Sequence, residues 1–189
     1  MSFAPLLAAA LTLGPLDHHE EAPLKAPPTV GQTVPDFTLP ELGKEKPVTL
    51  SKVAADGPVV LMVLRGYPEY QCPACTRQVG AFLREADAFE KAGARVVMIY
   101  PGEAENLQTF AEEFSEGMKL PEGFTFLMDP GYKFTNAYQL RWDAPRETAY
   151  PSTFVIDSDR KVTFAKVSKT HGGRSNVQEV LATLKGMND

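Results

Sequence analysis

The feature that most limits how this chain folds is the unbroken apolar run at residues 58–64, which reads Pro-Val-Val-Leu-Met-Val-Leu. A strand with no polar residue at alternate positions has both faces covered, the situation of a central strand in a sheet with helices on either side. Further candidate elements alternate with it. Residues 94–100 and 124–128 repeat the apolar strand pattern, and residues 103–115 place Leu107, Phe110, Ala111 and Phe114 on one helical face. Strands that alternate with helices imply parallel pairing.

The remaining segments complete a mixed sheet. Residues 35–39 and 48–50 read as short strands, residues 153–156 and 162–167 flank a polar turn as a hairpin, and residues 176–184 close the chain as a helix. The reading is therefore α/β, a central mixed sheet flanked by helices on both faces. At 189 residues, 43% hydrophobic and 23% charged, the chain suits one domain with its own core. That domain is expected over residues 31–189. The net charge of −5 comes without a lysine and arginine stripe, so nucleic acid is not an expected partner.

Residues 1–30 read differently. Residues 3–16 are apolar and alanine-rich but too short to span a bilayer as a helix. An export signal is the favoured reading, giving an exported or periplasmic location over a cytoplasmic one, although no lysine or arginine precedes the run. Residues 17–30 are charged and then proline-rich, as expected of a linker. His18, His19, Glu20 and Glu21 fall there, without a preorganised shell to make them a metal site.

Chemistry is concentrated where the apolar strand ends. The chain has two cysteines, in Cys72-Pro73-Ala74-Cys75, followed by Val79, Phe82, Leu83, Ala86 and Phe89 at helical intervals up to Gly93. A helix N-terminus favours negative charge, and the reactive form of cysteine is the thiolate. Cys72 is thus the expected nucleophile, Pro73 suits the first helical turn, and Cys75 lies one turn inside, within reach of a disulfide. A zinc site would need two more ligands, for which only His171 and a carboxylate are on offer. The pair therefore reads as redox-active, with no metal and no cofactor. Arg65, beside the cysteine loop, is read either as a charge favouring the thiolate or as a solvated surface residue. Tyr150 and Pro151 are expected to shape a docking groove, Pro151 being tolerable as the first residue of a strand, where its peptide bond can be cis. Residues 139–150, with the lone Trp142, read as an irregular loop, and His171 as a turn residue.

Three segments carry a resemblance. Residues 30–39, Val-Gly-Gln-Thr-Val-Pro-Asp-Phe-Thr-Leu, the strand before Cys72-Pro73, and residues 151–157, Pro-Ser-Thr-Phe-Val-Ile-Asp, together resemble the peroxiredoxin-like AhpC/TSA and redoxin branch of the thioredoxin superfamily. The resemblance spans about residues 30–184. It implies a thioredoxin fold, a cis-proline facing the redox cysteine, and reaction with hydroperoxides or protein disulfides. A typical peroxiredoxin has proline seven residues and threonine or serine three residues before its peroxidatic cysteine, and arginine in the place of Pro151. Counted from Cys72, those upstream places hold Arg65 and Glu69. Gln78 stands where reductases of cytochrome maturation often carry glutamate.

These departures favour thiol–disulfide exchange: Cys72 attacks a disulfide, Cys75 releases the product, and an external thiol reductant resets the pair. The alternative is a hydroperoxide-reducing, antioxidant peroxidase that passes through a sulfenic acid. A third reading is a binding module whose dithiol only senses redox state.

Overall fold

The computed structural model describes residues 21–188; the apolar N-terminal segment and His18, His19 and Glu20 lie outside them. Its centre is a five-stranded sheet in the order β5-β4-β3-β6-β7. The strands are β3 (Val59–Val63), β4 (Arg95–Gly102), β5 (Phe124–Pro130), β6 (Ser152–Ile156) and β7 (Val162–Val167). β3, β4 and β5 are parallel, whereas β6 runs antiparallel to β3 and β7 antiparallel to β6. A two-residue pair, β1 (Thr38–Leu39) with β2 (Val48–Thr49), stands apart from this sheet.

Every residue of β3 is fully buried, as the apolar run requires. Its side chains divide by parity. Val60, Met62 and Leu64 enter a core with α2 (Pro73–Arg84), α3 (Ala86–Lys91), α4 (Leu107–Ser115) and α6 (Val177–Asn188). Val59, Leu61 and Val63 enter the opposite core with α1 (Leu50–Ala54) and α5 (Lys133–Ala137). Helices on both faces of a mixed sheet make the expected thioredoxin-type α/β architecture.

Several details depart from the sequence pattern. The helix expected to run from the cysteines to Gly93 breaks at Glu85 (φ −102°, ψ 19°). The break lets Phe89 stack on Phe82 at 5.5 Å and meet Phe124 edge-on at 5.9 Å. The segment expected to be a strand at residues 35–39 keeps only Thr38–Leu39, and α1 and α5 were not anticipated. The turn before α5 is held by buried Asp129, whose two carboxylate oxygens accept the N–H groups of Phe134 and Thr135 at 2.8 and 3.0 Å. A local helix only five residues long has too little periodicity to be read from sequence.

The proline-rich stretch expected to be a linker is docked on the domain. Leu24 N–H donates to the Ala137 carbonyl at 2.8 Å, Gly31 N–H to the Val162 carbonyl at 2.8 Å, and Glu21 pairs with Arg160 at 2.7 Å. The expected cis bond is also absent: every peptide bond among the described residues is trans. Pro151 directly precedes β6 with nothing to donate, and its carbonyl accepts Ser168 N–H at 2.9 Å.

Candidate active site

The chain leaves β3 at Leu64, turns through residues 65–71 and enters α2 with Cys72 as its N-cap and Pro73 in the first turn. The turn is held at several points. Tyr67 stacks on Phe110 at 3.8 Å, while Gln71 accepts from the Tyr100 hydroxyl at 2.8 Å and donates to the Phe110 carbonyl at 2.9 Å. These contacts fix the approach to Cys72 from the α4 side.

The two thiols are free and face one another. Cys72 Sγ accepts from Cys75 N–H at 3.2 Å, the capping position of a helix whose first-turn amides attract an anion. Cys72 is 4% exposed and Cys75 fully buried. Their acidities are driven apart. A hydrogen bond from the Cys75 thiol outweighs the cost of burial for Cys72 and, with the Cys75 N–H and the Arg174 and Arg65 charges, brings it from 9.0 down to about 6. Burial first, and then the neighbouring Cys72 sulfur, push Cys75 up. This asymmetry favours Cys72 over Cys75 as the one that ionises first.

The residue that sequence reasoning missed is Arg174. It sits in the turn before α6, and its Nη2 lies 3.4 Å from both Cys72 Sγ and Cys75 Sγ. Gln78, on α2, accepts from Arg174 Nη1 at 3.2 Å and donates to Ser175 at 3.2 Å. No spacing signal marks a residue 99 positions from Cys75, and only the chain return after β7 brings it there.

Arg65 fits neither reading made of it in full. It is 3% exposed, so it is not a solvated surface residue. Its backbone N–H donates to Cys75 Sγ at 3.4 Å, but its guanidinium points to Glu147 (2.7 Å), Tyr70 (2.9 Å) and the Arg146 carbonyl (2.7 Å). Glu147 also contacts His171 Nε2 at 2.7 Å, and the His171 carbonyl accepts from Arg174 Nε at 3.4 Å. His171, expected to be a turn residue, thus closes a ring running Cys75, Arg65, Glu147, His171, Arg174 and back to Cys75. Among the expected docking residues, Tyr150 is half-buried and stacks on Trp142 at 4.8 Å, whereas Pro151 is buried and offers little surface.

The spacing that fails from Cys72 holds from Cys75. Pro68 stands seven residues before Cys75, and Cys72 occupies the place of the threonine or serine three residues before it. The upstream departure is therefore a single exchange of hydroxyl for thiol.

Similarity to known proteins agrees with this geometry. Over 131 residues the chain is 36% identical to chloroplastic peroxiredoxin Q of Sedum lineare, a match covering 69% of this chain and 64% of that protein. The Arabidopsis thaliana chloroplastic peroxiredoxin Q is 35% identical over 68% of this chain and 55% of its own length. The match thus spans less than two thirds of these relatives. Among solved structures, peroxidoxin BcpB from Mycobacterium tuberculosis superimposes with a TM-score of 0.66 at 27% identity, covering 85% of this chain and 98% of that one. The AhpC of the same organism shares the fold at TM-score 0.68 and 18% identity, over 86% and 94% of the two chains. The AhpC/TSA family model matches residues 30–165, so the chain belongs to the AhpC/TSA family.

Proposed function

We propose that this protein is a thiol peroxidase of the peroxiredoxin type, in which Cys72 and Cys75 reduce a hydroperoxide and are reset by an external thiol. One observation carries the reading: a thiol brought down to about 6 stands at a helix N-terminus, against a guanidinium and a second thiol, in an AhpC/TSA chain.

The Cys72 thiolate attacks the outer oxygen of ROOH, the O–O bond breaks, and the alkoxide takes a proton from water to leave as ROH. The Cys75 sulfur then attacks the Cys72 sulfenic sulfur, and hydroxide leaves with the Cys75 proton as water. The resulting disulfide is opened by two thiol equivalents from the reductant. Thiol–disulfide exchange at the same pair is the second reading, favoured by the Cys-Pro-x-Cys arrangement at the start of α2.

The test follows hydrogen peroxide and a model protein disulfide side by side, with Cys72→Ser and Cys75→Ser variants. Rapid peroxide loss abolished by Cys72→Ser, with sulfenic acid accumulating in Cys75→Ser, is the expected result. Sulfenic acid accumulating in Cys72→Ser instead would reverse the order of the two cysteines, as the Pro68-to-Cys75 spacing suggests. Disulfide reduction with background peroxide loss would favour the second reading, and sluggish thiols in both assays would leave only a redox-sensing role.

A further inference from the structure

The cation nearest the dithiol has no carboxylate. Among the described residues, the hydrogen-bond partners of the Arg174 side chain are the two sulfurs, the Gln78 amide oxygen and the His171 carbonyl. Arg65, the other arginine at the site, has its charge matched by Glu147 at 2.7 Å. Arg174 is half-buried and the two sulfurs it touches are buried, so a guanidinium without a counter-ion acts on them with less screening than at an exposed surface.

Equal 3.4 Å distances to both sulfurs have a consequence for a two-step reaction. In the reduced protein the negative charge is on Cys72, and it opposes ionisation of Cys75. Once Cys72 has formed a bond to oxygen or to another sulfur, that negative charge is gone. The same guanidinium, already 3.4 Å from Cys75 Sγ, then has only that sulfur as a developing anion to stabilise.

We propose that Arg174 is a catalytic residue for both half-reactions, stabilising the Cys72 thiolate for the first attack and then the Cys75 thiolate for the displacement that closes the disulfide. The proposal rests on the preceding reading only in taking Cys72 and Cys75 as the reactive pair in that order. Gln78 holds the guanidinium through Nη1, while the sulfurs meet Nη2, without neutralising it. Arg65 contributes its N–H to Cys75 and is a positioning residue.

The test uses an aromatic disulfide that releases a coloured thiolate at each step, so that no peroxide is needed. Attack by the first cysteine releases one equivalent and leaves a mixed disulfide; displacement by the second releases the other and leaves Cys72–Cys75 oxidised. Rapid mixing of the reduced full chain resolves the two releases. Read at about pH 5, below the Cys72 midpoint of about 6, Arg174→Met should slow each release by roughly tenfold, the loss expected when an adjacent cation worth about one pKa unit is removed. Arg174→Lys, which keeps the charge, should recover much of both, and raising the pH above the thiol range should erase the first deficit. A first-release deficit that persists at high pH, or a deficit in either release that Arg174→Lys does not relieve, would mean a merely structural role and overturn the proposal. Slowing of only one release would also overturn it. Failure to consume peroxide, with both releases still dependent on Arg174, would sink the peroxidase reading and leave this one standing.

Discussion

Glu147 lies 82 residues beyond Arg65 in the chain, yet its Oε2 accepts from Arg65 Nε at 2.7 Å, and Arg65 is nearly inaccessible to solvent. The pair ties the irregular loop at residues 139–150 to the turn that leads from β3 to the cysteines. Removing Glu147 leaves the buried Arg65 guanidinium with Tyr70 and the Arg146 carbonyl but no counter-charge.

Glu147→Gln should therefore destabilise the fold by about 1–3 kcal/mol, the usual cost of weakening a hydrogen bond to a buried charged group, as read by chemical denaturation. The pH dependence follows from the same contacts. Burial opposes ionisation of Glu147, but hydrogen bonds from Arg65 and His171 outweigh it and hold the carboxyl below its ordinary 4.5. A carboxyl depressed in the folded state adds stability that is full above about pH 4.5 and is lost as pH falls through its folded-state value. In the wild-type protein stability should fall in that acid window, and Glu147→Gln should flatten part of the slope; an unchanged slope would exclude Glu147 as a contributor.

Gln78 is neutral at a position where a carboxylate would change the chemistry. Gln78→Glu would pair with Arg174 across the 3.2 Å contact now made by the amide and add a negative charge near Cys72. The midpoint of Cys72 alkylation, expected near pH 6 in the wild type, should rise by about one unit or more. Because thiolate increases with pH, the variant should react more slowly at neutral pH and catch up at alkaline pH. Gln78→Met should shift the midpoint less, since it removes the tether without adding charge.

Gly66 follows Arg65 with φ +75°, and a Cβ there would collide with the Pro101 carbonyl oxygen of β4. Gly66→Ala should cost at least about 1–3 kcal/mol, since a non-glycine residue is strained in this region even before the clash. It should also slow displacement by Cys75, because the N–H that meets Cys75 Sγ belongs to the preceding residue, Arg65. A variant with wild-type denaturation midpoint would show that the β3-to-α2 turn tolerates a shift.

Trp142, the single tryptophan, stacks on Tyr150 at 4.8 Å and lies 5.4 Å from the His171 ring, and the His171 carbonyl holds Arg174. Closing the Cys72–Cys75 disulfide removes the thiolate that Arg174 faces. The tryptophan emission should therefore change on stoichiometric oxidation, and the change should shrink in Arg174→Met. Identical spectra for reduced and oxidised protein would break the link between the ring of contacts and the indole.

Local patterns in the chain determined the central strands, the helices at Cys72 and at residues 176–184, and the dithiol itself. Each depends on interactions within a few residues: an apolar run that must be covered on both faces, helical spacing of Val79 and Phe82, and a capping cysteine before proline. Even the upstream spacing that aligns Pro68 and Cys72 with Cys75 is legible without coordinates of any kind, once counted from the second cysteine. Tertiary structure decided the rest. Whether Arg65 was a surface residue or part of the site depended on a partner 82 positions away. Arg174 carries no local mark of function, because its charge acquires one only when the return from β7 to α6 brings it between two sulfurs about a hundred residues earlier in the chain. Electrostatic contacts act through distance in space and not along the chain, so no periodicity or motif encodes them.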